Sequence, residues 1–448
     1  MNSIPQQHFL KKTSLLLFMC ILTTIAFSMK NGSPNGIVVA IKPNMNTLVT
    51  SSIQTAIDSC AKAGGGTVRF TEGTYLCASI QLKNKITLQF DKGALLQGSE
   101  KIGDYTVDGF INGENVSDIS IVGEGIIDGM ECYNPNGEGG YRGPHCIRLQ
   151  NCKNITISGI TIRKAANWAI NCRHCSYATI ENVKIRAGND GLHTRFCTDF
   201  TVKECDFRTG DDAFAGNDNQ NFIVTDCIVN SSCNGFRIGC YNFTVKRCRI
   251  YGPGEYSHFR QNRYNMLTAF VHFSPEDENP KLKSGNWLIQ DVTVENVGYF
   301  YMYNNKDGLW QTGQPVTNIR FKRVKATGIL SAFYVIGDTA RKFNLSIRNS
   351  SFAFREGATF KSPIFEDVKI NSSDLFNVEN FNKVQLKDVT LEKKGAKILA
   401  NFTSGNSLYL DNVNFITGEN SIPYSIEKLK KIKKVNLQFN SSKSTDNQ

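Results

Sequence analysis

Three aspartates stand in two turns, Asn189-Asp190-Gly191 and Gly210-Asp211-Asp212, with Asp190 and Asp212 separated by 22 residues. Carboxyl groups gathered this way repel, so at least one should have a raised pKa, as a general acid requires. A protonated and an ionised carboxyl held close together are the pair that general acid/base catalysis uses. A single Asp in a turn ordinarily does no more than bond backbone amides; it is the constellation that points to chemistry. One period after Asp212 comes Cys233-Asn234-Gly235, with Arg237 close behind. Asn234 can hydrogen-bond a carboxylate or a sugar hydroxyl but carries neither charge nor a transferable proton. Arg237 could supply positive charge, or could be a solvated strand residue.

The 22-residue interval belongs to the chain and not only to its acids. Segments 178–185, 200–207, 222–229 and 243–250 share one apolar pattern, with Val183, Cys205, Cys227 and Cys248 at equivalent positions. Further copies begin at Asn154, Trp287, Thr317 and Val384. Short β-rich repeats that bury their apolar faces only against neighbours make a solenoid. We read an all-β, right-handed parallel β-helix. The segment Ser52–Val68 reads as a short amphipathic helix and glycine turn capping the N-terminal end, about residues 45–80. A solenoid escapes the size limit on globular cores, so residues 29–448 are expected to form a single domain. The repeat is interrupted at about 251–286 by an Arg-, His- and aromatic-rich insertion, expected to lie outside the solenoid and to wall a cleft. A Lys-rich tail is expected at about 425–448.

Residues 1–28 carry Lys11 and Lys12, an apolar run and then small residues, the pattern of a secretory signal peptide; a lipoprotein anchor at Cys20 is disfavoured. The protein is therefore expected to be secreted or periplasmic, with no membrane span. Removing those two lysines and no acid takes the net charge from +11 to +9. That balance suits a polyanion, or sets solubility only; no nucleic-acid module is present. Fourteen cysteines would suggest a disulfide framework, yet Cys205, Cys227 and Cys248 fall on one strand position in successive coils and read as an apolar ladder. Cys60 with Cys77 is the expected bridge. Metal binding at Cys172 and Cys175 has no second ligand pair to support it. We expect no cofactor, no metal and a monomer.

The cap, followed by Val122-Gly-Glu-Gly-Ile-Ile-Asp-Gly129, Asn189-Asp190-Gly191 and Gly210-Asp211-Asp212, resembles the polygalacturonase family of pectin-degrading glycoside hydrolases, family 28. Those motifs match that family's G-x-G-x-I-D-G, its N-T-D-G less one residue, and its G-D-D. The resemblance implies a right-handed parallel β-helix and inverting hydrolysis, with Asp211 as general acid and Asp190 and Asp212 deprotonating the attacking water.

The chain departs from the family in two places. Cys233-Asn234-Gly235 stands where the family has Gly-His-Gly, and aromatics of residues 298–306 stand where an Arg-x-Lys pair would hold the galacturonate carboxylate. Expected substrate contacts are Asn189 and His193 by the first acidic turn, Asn234 and Arg237 one coil on, His258 and Arg260 in the insertion, and Tyr301, Tyr303 and Lys306. Tyrosines suit stacking on a neutral or deoxy sugar. The expected partner is a polysaccharide or oligosaccharide, a pectic glycan above all. Two alternatives remain: a uronate lyase or epimerase on the same fold, with a Ca²⁺ cluster and an Arg or Lys base, and an inactive glycan-binding β-helix.

Overall fold

The computed structural model describes residues 37–259, 262–275, 280–305, 313–354, 376–393, 398–418 and 421–441. It is a right-handed parallel β-helix in which each coil adds a strand to three parallel ladders. The first ladder includes Ser176–Glu181, Thr198–Lys203 and the later half of Phe214–Thr225. The second includes Lys184–Ala187, Asp206–Thr209 and Ile228–Ser231. The third includes Ile170–Arg173, Leu192–Arg195, the start of Phe214–Thr225 and the start of Asn234–Lys246.

Period-two alternation turns one set of side chains inward in every strand, and in-register stacking piles like on like. Phe214, Phe236 and Phe270 form one buried stack, with ring centroids 4.5 and 5.1 Å apart. Helix Thr50–Lys62 caps the N-terminal end by burying Ile53, Ala56, Ile57 and Cys60. Corners need left-handed backbone, which Asn and Asp tolerate best. Asn221, Asn242 and Asn286 all take it, and each side-chain amide donates to the residue one coil back: Asn221 to Asp199 at 2.8 Å, Asn242 to Asn221 at 2.8 Å, Asn286 to Asn242 at 3.1 Å.

Several expectations change. Cys205, Cys227 and Cys248 are buried and stacked with Val183, but at the corner between the first and second ladders and not within a strand. Cys60 and Cys77 are free thiols. Cys60 Sγ faces the carbonyls of Ile37 and Thr67 from the cap helix, while Cys77 Sγ turns to the carbonyl of Ala78. Spacing alone could not reveal that the two thiols point to different neighbours. The insertion is not wholly outside the solenoid: Thr268–His272 is a buried third-ladder strand paired with Asn234–Lys246 and Tyr299–Asn304. Each coil needs a third-ladder strand, and this one lacks the pattern by which the repeat was recognised. The Lys-rich segment is a last coil, with strands Ile422–Glu427, Lys431–Val435 and Gln438–Ser441. The leader falls outside the described residues, as does the end of that segment. Among the described residues no helix is long and apolar enough to cross a membrane.

Two outcomes follow for stability. Phe236→Ala, opening a cavity in the stack, should cost about 3–5 kcal/mol in denaturant melts. Reductant should leave the melting temperature unchanged, because every described cysteine is a thiol.

Candidate active site

Register decides which residues meet. Trp168, Asp190, Asp212 and Asn234 follow one another at 22-residue steps, at the entry to successive third-ladder strands. The backbone stacks them, with Ala169 N–H donating to Asp190 O, Gly191 to Asp212 O and Ala213 to Asn234 O, each at 2.9 Å. Alongside runs an outward row in which His193, Ala215 and Arg237 are register partners. Ala215 has no side chain beyond Cβ, so Arg237 can lie back over it to Asp212.

Each carboxylate has its own partners. Asp212 accepts from Arg237 Nε at 2.5 Å and from Asn234 Nδ2 at 2.7 Å. Asn234 is oriented by Thr268 Oγ1, which donates to its Oδ1 at 2.7 Å. Asp211 lies 3.6 Å from Arg142 Nη2 and 3.4 Å from His258 Nε2. Asp190 is 2.9 Å from His193 Nδ1 and accepts from the Asp212 backbone N–H at 3.2 Å. His193 in turn stacks flat on Trp168, with centroids 3.6 Å apart.

These surroundings split the three charge states. Burial pushes Asp190 well above the carboxylate range, and the charges of Asp211 and Asp212 add to that effect. Burial also raises Asp212 against the pull of Arg237. Burial would raise Asp211 too, but the hydrogen bond and charge of His258, with Arg142 and Arg237, outweigh it and hold this carboxyl low. Burial and the neighbouring Arg237 keep His193 neutral by lowering its pKa, so Asp190 gains little charge compensation from it. Burial would lower Arg237, yet Asp212 and Asp190 hold it raised and firmly cationic.

Two excursions build the wall. The first, residues 129–144, contributes Glu138 and Arg142; the second, residues 252–267, contributes His258 and Arg263. The second runs back along the helix axis over the acidic turns. Ser232 Oγ donates to Tyr256 O at 2.5 Å, Phe259 N–H donates to Gly188 O at 3.3 Å, and Phe259 stacks on Tyr141 of the first excursion at 5.1 Å. A Cβ at Gly210 would fall 2.0 Å from Ser257 O, so the glycine of Gly210-Asp211-Asp212 makes room for this wall. Together the walls and the acids line an open cavity of about 270 Å³, a little below the usual range for drug-sized ligands.

The expected site residues divide accordingly. Asp190, Asp211, Asp212, Asn234, Arg237 and His258 line the cavity. His193 backs Asp190. Asn189 turns away, its amide donating to Ala165 O at 3.1 Å. Tyr301 and Tyr303 are corrections: both are buried, Tyr301 among Trp287, Phe321 and Phe333, Tyr303 against His272 and Phe343. They occupy inward positions of Tyr299–Asn304, so they cannot stack on substrate. Arg260 and Lys306 lie outside the described residues. Sequence reasoning did not single out Arg142, Trp168 or Glu138; Arg263 belongs to the insertion that was expected to wall the cleft, and it lines the cavity. The position 22 residues before Asp190 could have found Trp168, and the excess length of residues 129–144 over other turns could have flagged Arg142. Arg263 Nη2 lies 3.1 Å from Cys233 Sγ. Asp211, Asp212 and Cys233 offer donor atoms within 4.8 Å of one another, a spacing a metal ion could use. Arg142, Arg237 and Arg263 already bring positive charge there, which opposes a cation.

Residues 66–242 match the family model for glycosyl hydrolases family 28. The match spans 177 of the 448 residues, and over that stretch the chain is similar to the family. No curated protein sequence matches it. Among solved structures it is similar to the family 28 exopolygalacturonase of Yersinia enterocolitica (14% identity, TM-score 0.58, covering 89% of this chain and 78% of that one). It is also similar to the polygalacturonase of Erwinia carotovora ssp. carotovora (16%, 0.56, 74% and 96%). A tailspike protein mutant of E. coli bacteriophage HK620 in complex with pentasaccharide shares the fold (13%, 0.54, 87% and 76%).

Because Asp190 has a raised pKa in the fold, the folded state holds a proton there that the unfolded chain releases above about pH 4. Stability from this group is complete below that pH and is lost as pH rises through the raised value. Asp190→Asn, neutral throughout, should stabilise the protein at pH 7 by about 1 kcal/mol, and the gain should vanish as melts are moved toward pH 3.

Proposed function

We propose that this protein is an exported glycoside hydrolase that cleaves a pectin-like polysaccharide by inverting acid/base hydrolysis. The observation that carries this reading is the convergence of three buried carboxyls with unequal partners on one small cavity. Unequal protonation is what hydrolysis by paired carboxyls needs. In this reading Asp190 and Asp212 hold the water, Asp212, fixed by Arg237 and Asn234, takes its proton, and Asp211 protonates the leaving oxygen.

Asp211 rests as an anion, so its proton has to come from a neighbour. His258, 3.4 Å away and on the cavity wall, is the group placed for this. A proton passes from His258 Nε2 to Asp211 and on to the glycosidic oxygen, and His258 recovers one from solvent. His258 would thus serve the function that Asn234, an amide, cannot. Trp168 lines the cavity and offers an aromatic face for the sugar. The lyase reading asks for a free arginine or lysine as base, and Arg237 is held cationic by Asp212.

The test is reducing-end release from pectic and neutral polysaccharides, with and without EDTA, while ultraviolet absorbance is followed. Asp211→Asn should lose about 10²–10⁴-fold in kcat. His258→Gln should lose less, keep its melting temperature and KM, and change the pH profile. Formation of unsaturated product, or abolition by EDTA, would favour the lyase, and activity retained by Asp211→Asn would remove the assignment.

A further inference from the structure

A second groove, larger than the catalytic cavity at about 640 Å³, lies on the outer face of the first ladder toward the C-terminal end. Its cations are Arg320, Arg348 and Lys383, all exposed. Arg320 is the register partner of Ser346, and Ser346 of Gln385, so the groove crosses three successive coils. Asn286, Asn318 and Asn344 border it. Asn344 Nδ2 donates to Asn318 Oδ1 at 2.9 Å, which leaves the second N–H of that amide for a ligand.

These three cations lack acids and share one groove. Elsewhere on the solenoid several exposed cations do pair one coil apart: Lys203 with Glu181 at 2.7 Å, Arg247 with Asp226 at 2.6 Å, Arg323 with Asp291 at 2.5 Å. Among the described residues Arg320, Arg348 and Lys383 are in no ion pair; Arg348 Nη2 reaches only the neutral Gln385 Oε1, at 3.4 Å. Unpaired cations on neighbouring coils repel, so the arrangement favours an anion bridging them. Coils recur about every 4.8 Å, so the anion that fits is an extended chain with a regular charge repeat lying along the helix axis. The flanking amides and hydroxyls suit a polymer rich in hydroxyl groups.

We infer that this groove is a second glycan-binding site, remote from the acidic cavity, which holds an acidic polysaccharide through its carboxylates. Its ligand class rests on the reading of the active site above, but its existence does not. Contacts of this kind are individually weak and screened by salt, and act by keeping a long chain on the enzyme.

The test measures binding without turnover: affinity electrophoresis of the full chain in gels holding polygalacturonate, neutral galactan or duplex DNA. The triple variant Arg320→Gln, Arg348→Gln, Lys383→Gln should bind polygalacturonate about five-fold more weakly, with three exposed contacts of a few tenths of a kcal/mol each. A control that removes the same charge from paired positions, Lys203→Gln, Arg247→Gln, Arg249→Gln, should bind nearly as wild type. Both variants are checked by melting, and galactan should not retard any of them. Unchanged binding by the first variant, an equal loss in the control, or tighter binding to DNA than to polygalacturonate would overturn the inference. None of these outcomes depends on catalysis, so failure here is separable from failure of the proposed activity.

Discussion

In a parallel solenoid each coil hydrogen-bonds to the next in register, so residues one period apart are held about 4.8 Å apart whatever their charge. In this chain the constraint brings Asp190 directly beneath Asp212. Two buried carboxylates at that range cannot both ionise freely. The rest of the site is the compensation for that placement: Arg237 folds back over Ala215, Asn234 occupies the next position in the column, and Asp190 takes the proton that no cation relieves it of.

Asp211 stands one residue out of that column and is governed differently. Its partners come from the two excursions, Arg142 from the coil before the acids and His258 from the segment after them. The Tyr141–Phe259 stack joins these two walls, and Gly210 lets the second wall lie against the turns. The solenoid therefore fixes the acids, while the excursions set the protonation of Asp211 and narrow an open face to a cavity.

The same register acts on the opposite scale along the first ladder. Some exposed cations there are paired with acids one coil away, as Lys203 is with Glu181, while Arg320, Arg348 and Lys383 gather in one groove without such partners.

The period of 22 residues determined the fold, because alternating apolar positions repeated at that interval can be buried only by stacking. It also placed Asp190, Asp212 and Asn234 in one column before any coordinates. Three things were beyond it. The inward turn of Tyr301 and Tyr303 depends on strand phase within a coil whose pattern was irregular. The fates of Cys60 and Cys77 depend on the direction each side chain takes from its own element. The partners of Asp211 depend on how two non-repeating segments fold back, and a segment without periodicity gives no rule for where it lands. The repeat is written locally, in residues that bury their neighbours, and so can be read from the chain. The cations that decide which carboxyl holds a proton arrive from far along the sequence, and only the tertiary structure brings them into contact.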